Sequence, residues 1–179
     1  YLPQYHDSRE HGLWCFITCN HDTPRPAAGL TDTERRLAFA WIFTMPGAPF
    51  LYYGDELGMD YRAIPTKEGG YHRTGSRTPM QWNAGRNLGF SEGAKEDLYL
   101  PVEADALHTV QAQEFDRDSM LSHVKRLIAL RHQEPELQNY SPFTVYAAKG
   151  RLFAYKRGEL LIAMNPGTGE ELCRLDRAY

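Results

Sequence analysis

Two polar clusters in this chain combine residue types that bind or convert substrates. Each comes at the end of a short apolar run, and they are Asn20-His21-Asp22 and Asp55-Glu56. Carboxylates accept hydrogen bonds from hydroxyl groups, while histidine and arginine donate them. With the many aromatic residues nearby, such a set suits a neutral ligand with many hydroxyl groups. The alternative is that Asn20 and Asp22 only form a turn ahead of the prolines, and residue types alone leave both interpretations open.

The segments around the two clusters predict a β-α-β unit. Residues 14–19 are apolar and rich in aromatic and β-branched side chains, as expected for a strand buried on both faces, and residues 48–53 form a second such run. Between them, Thr31 and Glu34 have capping-box spacing, which predicts the start of a helix that ends at Pro46-Gly47. We expect parallel strands with a right-handed crossover, whose carboxyl ends bring both clusters to one edge.

The rest of the chain divides at about residue 140. Residues 57–118 lack sustained periodicity, and their glycines, prolines and aromatics indicate long functional loops rather than disorder. A helix is predicted from about Asp118 to Pro135. Residues 144–148, 152–156 and 160–164 then predict an antiparallel meander with tight turns at Gly150 and Gly158. We therefore expect an α/β domain over residues 1–140 and the start of an all-β domain over residues 141–179.

The bulk composition limits the function classes. The 179 residues carry a net charge of -3, which argues against a nucleic-acid surface, and no apolar run approaches the roughly 20 residues of a membrane span. No signal peptide is visible, although the chain does not begin with Met. Cys15, Cys19 and Cys173 form no zinc-binding pattern and predict buried thiols in a reducing, cytoplasmic compartment. Without a nucleotide-binding motif or a visible metal cluster, we expect no cofactor and no metal.

Three segments resemble the alpha-amylase family of glycosidases, glycoside hydrolase family 13, in their amino-acid sequence, order and spacing. They are Asn20-His21-Asp22, the run MPGAPFLYYGDELGM at residues 45–59, and RTPMQW at residues 77–82. The longer GSRTPMQWN at residues 75–83 and LYLPV at residues 98–102 are most similar to the branch of alpha-glucosidases, oligo-1,6-glucosidases and trehalose synthases. The resemblance extends over nearly the whole chain.

This resemblance implies a TIM (β/α)8 barrel followed by a small β-sandwich. Residues 15–19 and 48–53 are then similar to the seventh and eighth barrel strands, and residues 119–134 to the closing helix. The meander is similar to the start of the sandwich. The implied fold class is α/β, with the last two βα units of the barrel followed by the start of an antiparallel β-sandwich domain.

The resemblance also implies roles for three residues. Asp22 is similar to the family's third carboxylate, which neither attacks nor protonates the substrate. It would hold the ring hydroxyls more tightly in the flattened, oxocarbenium-like transition state than in the relaxed chair. His21 is expected to hydrogen-bond the sugar at the cleavage subsite, and Arg77 to lie near the acceptor subsite.

Other polar residues near the two clusters have weaker assignments. Arg25 follows the first cluster, and it would either contact substrate or pair with Glu34 or Asp55. Asn20, Asp55 and Glu56 are expected to support the site. Asp55 and Glu56 make a poor catalytic pair because adjacent residues on a strand point to opposite faces.

The chain departs from the family at the other two carboxylates. A retaining glycosidase needs a nucleophile and an acid/base about 5 Å apart. In this family both precede the Asn-His-Asp motif, the nucleophile within Gly-x-Arg-x-Asp. The 19 residues before Asn20 contain only Asp7 and Glu10 as acids, outside any predicted strand. We therefore expect a carboxyl-terminal part of such an enzyme that is inactive and self-associates when isolated.

The expected substrate is an alpha-glucan oligosaccharide or a disaccharide. One alternative is a trehalose synthase or transglucosidase of the same family, because hydrolysis and transfer differ only in water access and acceptor binding. Another is a noncatalytic carbohydrate-binding accessory protein. A Gly-x-Arg-x-Asp motif upstream in the reading frame would exclude the accessory protein.

Overall fold

The computed structural model describes residues 2–65, 73–104 and 106–172. Its helices are α1 (Leu2–Ser8), α2 (Asp32–Thr44), α3 (Val110–Gln113) and α4 (Met120–Gln133). Its strands are β1 (Cys15–Ile17), β2 (Ala48–Phe50), β3 (Phe143–Lys149), β4 (Leu152–Arg157) and β5 (Leu160–Met164). None of the described helices has the length and the apolar character needed to cross a bilayer.

The predicted parallel β-α-β unit is confirmed. β1 and β2 form a two-stranded sheet. The Ala48 N–H donates to the carbonyl of Trp14 at 2.7 Å, and the Thr18 N–H donates to the carbonyl of Phe50 at 3.3 Å. Residue numbers rise in the same direction along both strands, so the pairing is parallel. Both polar clusters therefore follow the carboxyl end of a strand.

Thr31 and Glu34 form the predicted capping box at the start of α2. The N–H and the hydroxyl of Thr31 each donate to the Glu34 carboxylate at 2.8 Å, and the Glu34 N–H donates back to Thr31 Oγ1 at 3.3 Å. The bonds from Thr31 lower the pKa of Glu34. α2 ends at Thr44, just before Pro46, as the sequence predicts.

The described residues form two compact units. The first contains the residues up to Phe16, Leu37–Pro49 and the residues from Leu127 onward, and the second contains Ile17–Arg36 and Phe50–Arg126. Every residue predicted for the functional site belongs to the second unit.

The first unit contains the antiparallel sheet β3-β4-β5, which confirms the predicted meander. Gly150 and Gly158 lie in the connecting turns with φ values of 64° and 53°, a conformation that glycine adopts without a steric penalty. Phe143 of β3 and Tyr155 of β4 form a buried apolar core with Tyr5 and Met45.

The second unit is held together mainly by loops. Its small apolar core consists of Leu57, Met59 and Leu121. Gln113 connects this core by donating from Nε2 to the carbonyl of Leu57 at 2.7 Å and accepting at Oε1 from the Leu121 N–H at 3.1 Å. Within the described part of residues 57–118, the regular elements are short 3-10 turns and the four-residue α3, in agreement with the predicted loops.

The prediction that the first strand is buried on both faces is wrong. Cys15 is exposed, and Ile17 is 48% exposed. The physical reason is that, among the described strands, β2 is the only sheet neighbour of β1. Cys19 is buried as predicted, whereas Cys173 lies outside the described residues.

The second predicted strand is also shorter than expected, and this changes the geometry of the second cluster. β2 ends at Phe50, and Asp55 and Glu56 lie in a 3-10 turn, so the expectation that they point to opposite faces of a strand does not apply. Gly54 starts this turn with a φ of 84°. A Cβ at Gly54 would collide with the sulfur of Met59, so the turn requires glycine.

Candidate active site

The candidate catalytic carboxylate, Asp22, lies in an exposed turn that follows β1. Asn20 builds this turn, because its Oδ1 accepts from the Asp22 N–H at 2.8 Å and its own N–H donates to Thr23 Oγ1 at 3.0 Å. This is the side-chain turn that the simpler interpretation of the motif expects. The same turn presents the Asp22 carboxylate with half of its side chain exposed, so turn formation and ligand binding are compatible.

Asp22 is surrounded by basic side chains. Its Oδ1 accepts a hydrogen bond from Arg77 Nη2 at 2.9 Å and lies 3.4 Å from Arg73 Nη1, and its Oδ2 lies 3.3 Å from His21 Nε2. Arg77 Nε also donates to the carbonyl of His21 at 2.8 Å, so one guanidinium fixes both residues of the motif. The structure thus brings His21, Asp22 and Arg77 together and adds Arg73, which the sequence did not single out.

The electrostatic surroundings keep Asp22 ionised. Desolvation acts to raise the pKa of Asp22, but the charge of His21 and the hydrogen bond and charges of Arg77 and Arg73 outweigh it, so the pKa is lowered. A carboxylate that stays charged can accept hydroxyl hydrogen bonds or stabilise positive charge, but it is poorly suited to act as a general acid.

Arg25 is buried and pairs with Asp55. The two side chains are 0% and 1% exposed, with Arg25 Nη1 at 2.9 Å from Asp55 Oδ1. Arg25 also donates to the carbonyls of Tyr53 at 2.7 Å and Ser76 at 3.0 Å. Pairing with Asp55 is one of the arrangements that the sequence left open, while Glu34 caps a helix instead. Because its side chain exposes no surface, Arg25 is placed to support the site rather than to contact substrate.

Asp55 connects Arg25 to the end of the first strand segment. Its Oδ2 accepts hydrogen bonds from Thr18 Oγ1 at 2.5 Å and from Cys19 Sγ at 3.1 Å. Burial, followed by the charge and the hydrogen bond of Asp55, raises the pKa of the Cys19 thiol far above its usual range. Cys19 therefore acts as a neutral hydrogen-bond donor, and Asp55 fixes the chain on both sides of the Asp22 turn.

Glu56 lies next to Asp55 in the same 3-10 turn, and its pKa shifts in the opposite direction to that of Asp22. Burial raises its pKa, the nearby Asp55 charge acts in the same direction, and hydrogen bonds from backbone N–H groups only partly offset them. The folded protein therefore favours the neutral form of Glu56 more than an exposed position would. Its half-buried position next to Asp55 allows a supporting role but offers little surface to a ligand.

A cavity of about 370 Å³ opens beside Arg77. Three partly exposed aromatic residues line it, Tyr53, Phe90 and Tyr99, with exposed fractions of 38%, 49% and 55%. Exposed aromatic rings next to hydrogen-bonding groups are typical of small-molecule sites. Tyr99 belongs to the LYLPV motif noted in the sequence, although no ligand role was assigned to it, whereas Phe90 was signalled only by the aromatic content of a glycine-rich loop.

A separate group of side chains in the second unit is able to hold a metal ion. Asp60, Glu103 and His108 bring their ligand atoms within 4.8 Å of one another. Spacing along the chain does not reveal this group, because 43 positions separate Asp60 from Glu103.

Taken together, the Asp22 cluster can bind and orient a polar ligand. It contains an ionised carboxylate, a histidine and two guanidinium groups, and an aromatic cavity adjoins it through Arg77. Glycosidic cleavage with retention requires a pair of carboxylates about 5 Å apart. Of the four residues in this cluster, Asp22 alone carries a carboxylate, so the cluster by itself can supply only part of such a site.

Comparison with known proteins identifies the family. The family described as "Alpha amylase, catalytic domain" matches residues 2–140, and the chain therefore belongs to the alpha-amylase family. This confirms the resemblance seen in the three sequence motifs.

Curated relatives of this chain include two glucosidases and a trehalose synthase. The chain is 32% identical over 194 residues to the probable oligo-1,6-glucosidase 2 of Bacillus subtilis (strain 168), covering 87% of this chain and 34% of the relative. It is 32% identical over 174 residues to the salivary alpha-glucosidase of Aedes aegypti, covering 86% and 29%. The trehalose synthase of Thermus thermophilus is 32% identical over 138 residues, covering 74% and 14%. The chain thus spans about a third or less of the length of these relatives.

Solved structures show the same fold. The isomaltulose synthase from Erwinia rhapontici NX5 matches with a TM-score of 0.74 at 22% identity, covering 89% of this chain and 35% of that chain. A mutant of that enzyme in complex with its natural substrate sucrose matches with a TM-score of 0.74 at 23% identity over the same shares. The chain therefore shares its fold with TIM-barrel enzymes of the alpha-amylase family.

Proposed function

We propose that the protein carrying this chain is a retaining alpha-glucosidase-like enzyme that acts on alpha-glucosidic oligosaccharides or disaccharides. The observation that carries the proposal is the exposed, ionised carboxylate of Asp22, which Arg77 and His21 hold at the end of a parallel strand. Membership of the alpha-amylase family and similarity to an oligo-1,6-glucosidase and an alpha-glucosidase support this choice of reaction.

In this proposal Asp22 stabilises the transition state. Positive charge develops on the sugar ring as it becomes oxocarbenium-like, and a fixed carboxylate lowers that barrier if it binds the flattened ring more tightly than the relaxed one. His21 donates a hydrogen bond to the same sugar, and Arg77 contacts the acceptor side. Arg25, Asn20, Asp55 and Glu56 support the two loops that carry these groups.

The nucleophile and the acid/base are proposed to lie outside this chain. By the resemblance described above, both would precede the Asn-His-Asp motif, and the chain spans about a third of its first relative's length. On the same basis we propose that residues 1–140 are the last part of a barrel, with β1 and β2 as its final strands, and that residues 141–179 begin a separate all-β domain. A cytoplasmic location stays a prediction.

A second candidate is an enzyme that transfers or isomerises instead of hydrolysing. Similarity to trehalose synthases and to isomaltulose synthases favours it, because these names describe isomerising enzymes that share the sequence or fold. The remaining alternative is a noncatalytic accessory protein. Detectable turnover by the full-length protein would exclude it.

The central experiment compares Asp22→Asn with the wild-type full-length protein. We expect kcat for p-nitrophenyl alpha-glucoside to fall by at least about 100-fold, the effect of removing one preorganised electrostatic group from an active site. The melting temperature should change little, because the side chain is half exposed. Product analysis with maltose, isomaltose and sucrose then distinguishes hydrolysis from isomerisation.

Asp7→Asn is the matched control, since Asp7 is an exposed aspartate on α1. It should leave kcat unchanged. Asp22 would be excluded from the catalytic machinery if the kcat of Asp22→Asn stayed within about threefold of wild type. That ratio corresponds to less than RT ln 3, or roughly 0.7 kcal/mol, of transition-state stabilisation.

The isolated 179-residue chain is also proposed to self-associate. Ile17 on β1 and Phe50 on β2 are 48% and 55% exposed, and exposed apolar strand residues favour association. Light scattering that shows a monodisperse monomer at all concentrations would contradict this.

A further inference from the structure

We propose that Asp60, Glu103 and His108 form a binding site for a divalent transition-metal ion, with Zn²⁺ as the preferred metal. The ligand atoms of the three side chains lie within 4.8 Å of one another. His108 Nδ1 and Glu103 Oε2 are 3.0 Å apart, close to the separation of roughly 3.4 Å between two ligands of a tetrahedral Zn²⁺ site with bonds near 2.1 Å.

The donor set selects the class of metal. One imidazole nitrogen and two carboxylate oxygens are ligands that Zn²⁺ accepts readily, whereas Ca²⁺ and Mg²⁺ require oxygen ligands throughout. Three protein ligands also leave a fourth position for water. Asp60 is exposed, so the ion can enter from solvent and the Asp60 side chain can rotate to complete the site.

The backbone around two of the ligands is fixed by a single buried side chain. Gln81 is 0% exposed, and its Oε1 accepts from the Glu103 N–H at 3.3 Å while its Nε2 donates to the carbonyl of His108 at 2.8 Å. The third ligand is tied to them because the Asp60 N–H donates to Glu103 Oε1 at 2.9 Å. Hydrogen bonds that position ligands before binding reduce the ordering cost of binding the metal.

The charge at the site is suitable for a cation. Glu103 brings one carboxylate to within 3.0 Å of the His108 ring, and Asp60 adds a second carboxylate. The carboxylate of Asp60 makes no hydrogen bond or ion pair with the described residues. Two carboxylates therefore face one imidazole, and a divalent ion would balance them.

The competing explanation is a plain ion pair between Glu103 and protonated His108. That pair needs neither a metal nor Asp60. The two explanations therefore differ in what they require of Asp60, which makes this exposed residue the decisive position to change.

The test uses untagged full-length protein stripped of metal with a chelator. Zn²⁺ is titrated by calorimetry, and thermal unfolding is followed as the Zn²⁺ concentration rises, because a ligand that binds only the folded state raises the melting temperature. Co²⁺ is then substituted, and its visible absorption reports the ligand geometry. None of these measurements depends on turnover. The variants are Asp60→Asn and His108→Gln, with Asp97→Asn and His132→Gln as controls at exposed positions.

We expect saturable Zn²⁺ binding and a Zn²⁺-dependent rise in melting temperature. Asp60→Asn should lower the affinity for Zn²⁺ by at least about tenfold, because even the loss of an outer-shell partner of a metal ligand has an effect of that size. His108→Gln should lose the site, and both controls should bind as wild type. No saturable binding, or binding that Asp60→Asn leaves unchanged, overturns the proposal. Because Asp60 is exposed, its variant is informative even if His108→Gln does not fold.

Discussion

The loop after β1 contributes Asp22 to one ion pair and Arg25 to another. The two residues lie three positions apart in sequence, but one pair is exposed and the other is buried. The Asp22–Arg77 pair is exposed, with 50% and 25% of the two side chains accessible, whereas the Arg25–Asp55 pair is 0% and 1% exposed. Both join the segment after β1 to later loops of the same unit. They differ in whether water can replace the partner.

This difference assigns the two pairs different tasks. An exposed carboxylate is readily exchanged between partners, so under the proposed function we expect Asp22 to give up part of its contact with Arg77 when a sugar hydroxyl arrives. A buried charge that loses its partner is left without water or counter-charge, so Arg25 and Asp55 must stay together. The buried pair therefore fixes the loop, and the exposed pair at its tip remains available to a ligand.

The largest expected effect is on stability, from breaking the buried pair. Arg25→Met removes the cation from Asp55 and leaves the carbonyls of Tyr53 and Ser76 without this donor, in one partly buried and one buried hydrogen bond. We expect the free energy of unfolding to fall by about 3–5 kcal/mol, measured by urea denaturation of the full-length protein. Arg36→Met is the matched control at a more exposed pair with Asp32, and it should cost about 1 kcal/mol or less.

A double variant makes the comparison sharper. Arg25→Met combined with Asp55→Leu removes both buried charges, and apolar replacement of a buried pair is often neutral. Recovery should be partial here, because Thr18 and Cys19 lose their acceptor when Asp55 is replaced. If Arg25→Met alone costs no more than the Arg36 control, the buried pair does not hold the loop.

Much of the fold could be predicted because it depends on local chemistry. The capping box at Thr31, the parallel β1-α2-β2 order and the glycine turns of the meander each follow from a few neighbouring residues. The burial of β1 could not be predicted from its own residues, because it depends on which strands lie beside it. The end of β2 at Phe50 and the 3-10 turn that contains Asp55 and Glu56 were not predicted, because an apolar run shows where a strand can form but not where its pairing stops.

The candidate site was predictable to a similar extent. His21, Asp22 and Arg77 were found from the motif, and the structure places them in contact. Whether Arg25 pairs with Glu34, with Asp55 or with a ligand could not be decided from sequence, because all three depend on long-range packing. Arg73 and the Asp60, Glu103 and His108 group were missed for the same reason, since nothing in their local spacing brings them together.

A smaller effect is expected at the neighbour of Asp22. His21→Ala in the full-length protein should lower kcat/KM for p-nitrophenyl alpha-glucoside by about two- to tenfold, the range for the loss of a single hydrogen bond of roughly 0.5–1.5 kcal/mol. Asp22→Asn should be clearly more damaging, because hydrogen bonds to charged groups are about twice as strong. Side-by-side kinetics in which His21→Ala is the more damaging variant would reverse the proposed ranking of the two residues.

The smallest expected effect is a pH dependence of opposite sign at two carboxyl groups. The pKa of Glu56 is raised by burial, so its charge destabilises the folded state, and that cost is absent below the ordinary pKa of about 4.3 and appears as the pH rises through the folded value. Glu56→Gln should therefore gain melting temperature relative to wild type between pH 4 and pH 7.

The pKa of Asp22 is lowered, so its charge contributes stability above the ordinary pKa of about 3.9 that is lost as the pH falls through the folded value. Asp22→Asn should accordingly lose melting temperature relative to wild type as the pH rises from strongly acidic values. Thermal unfolding of both variants over one pH series measures the two slopes, and slopes of the same sign would mean that the exposed and the half-buried carboxyl groups do not differ as the structure indicates.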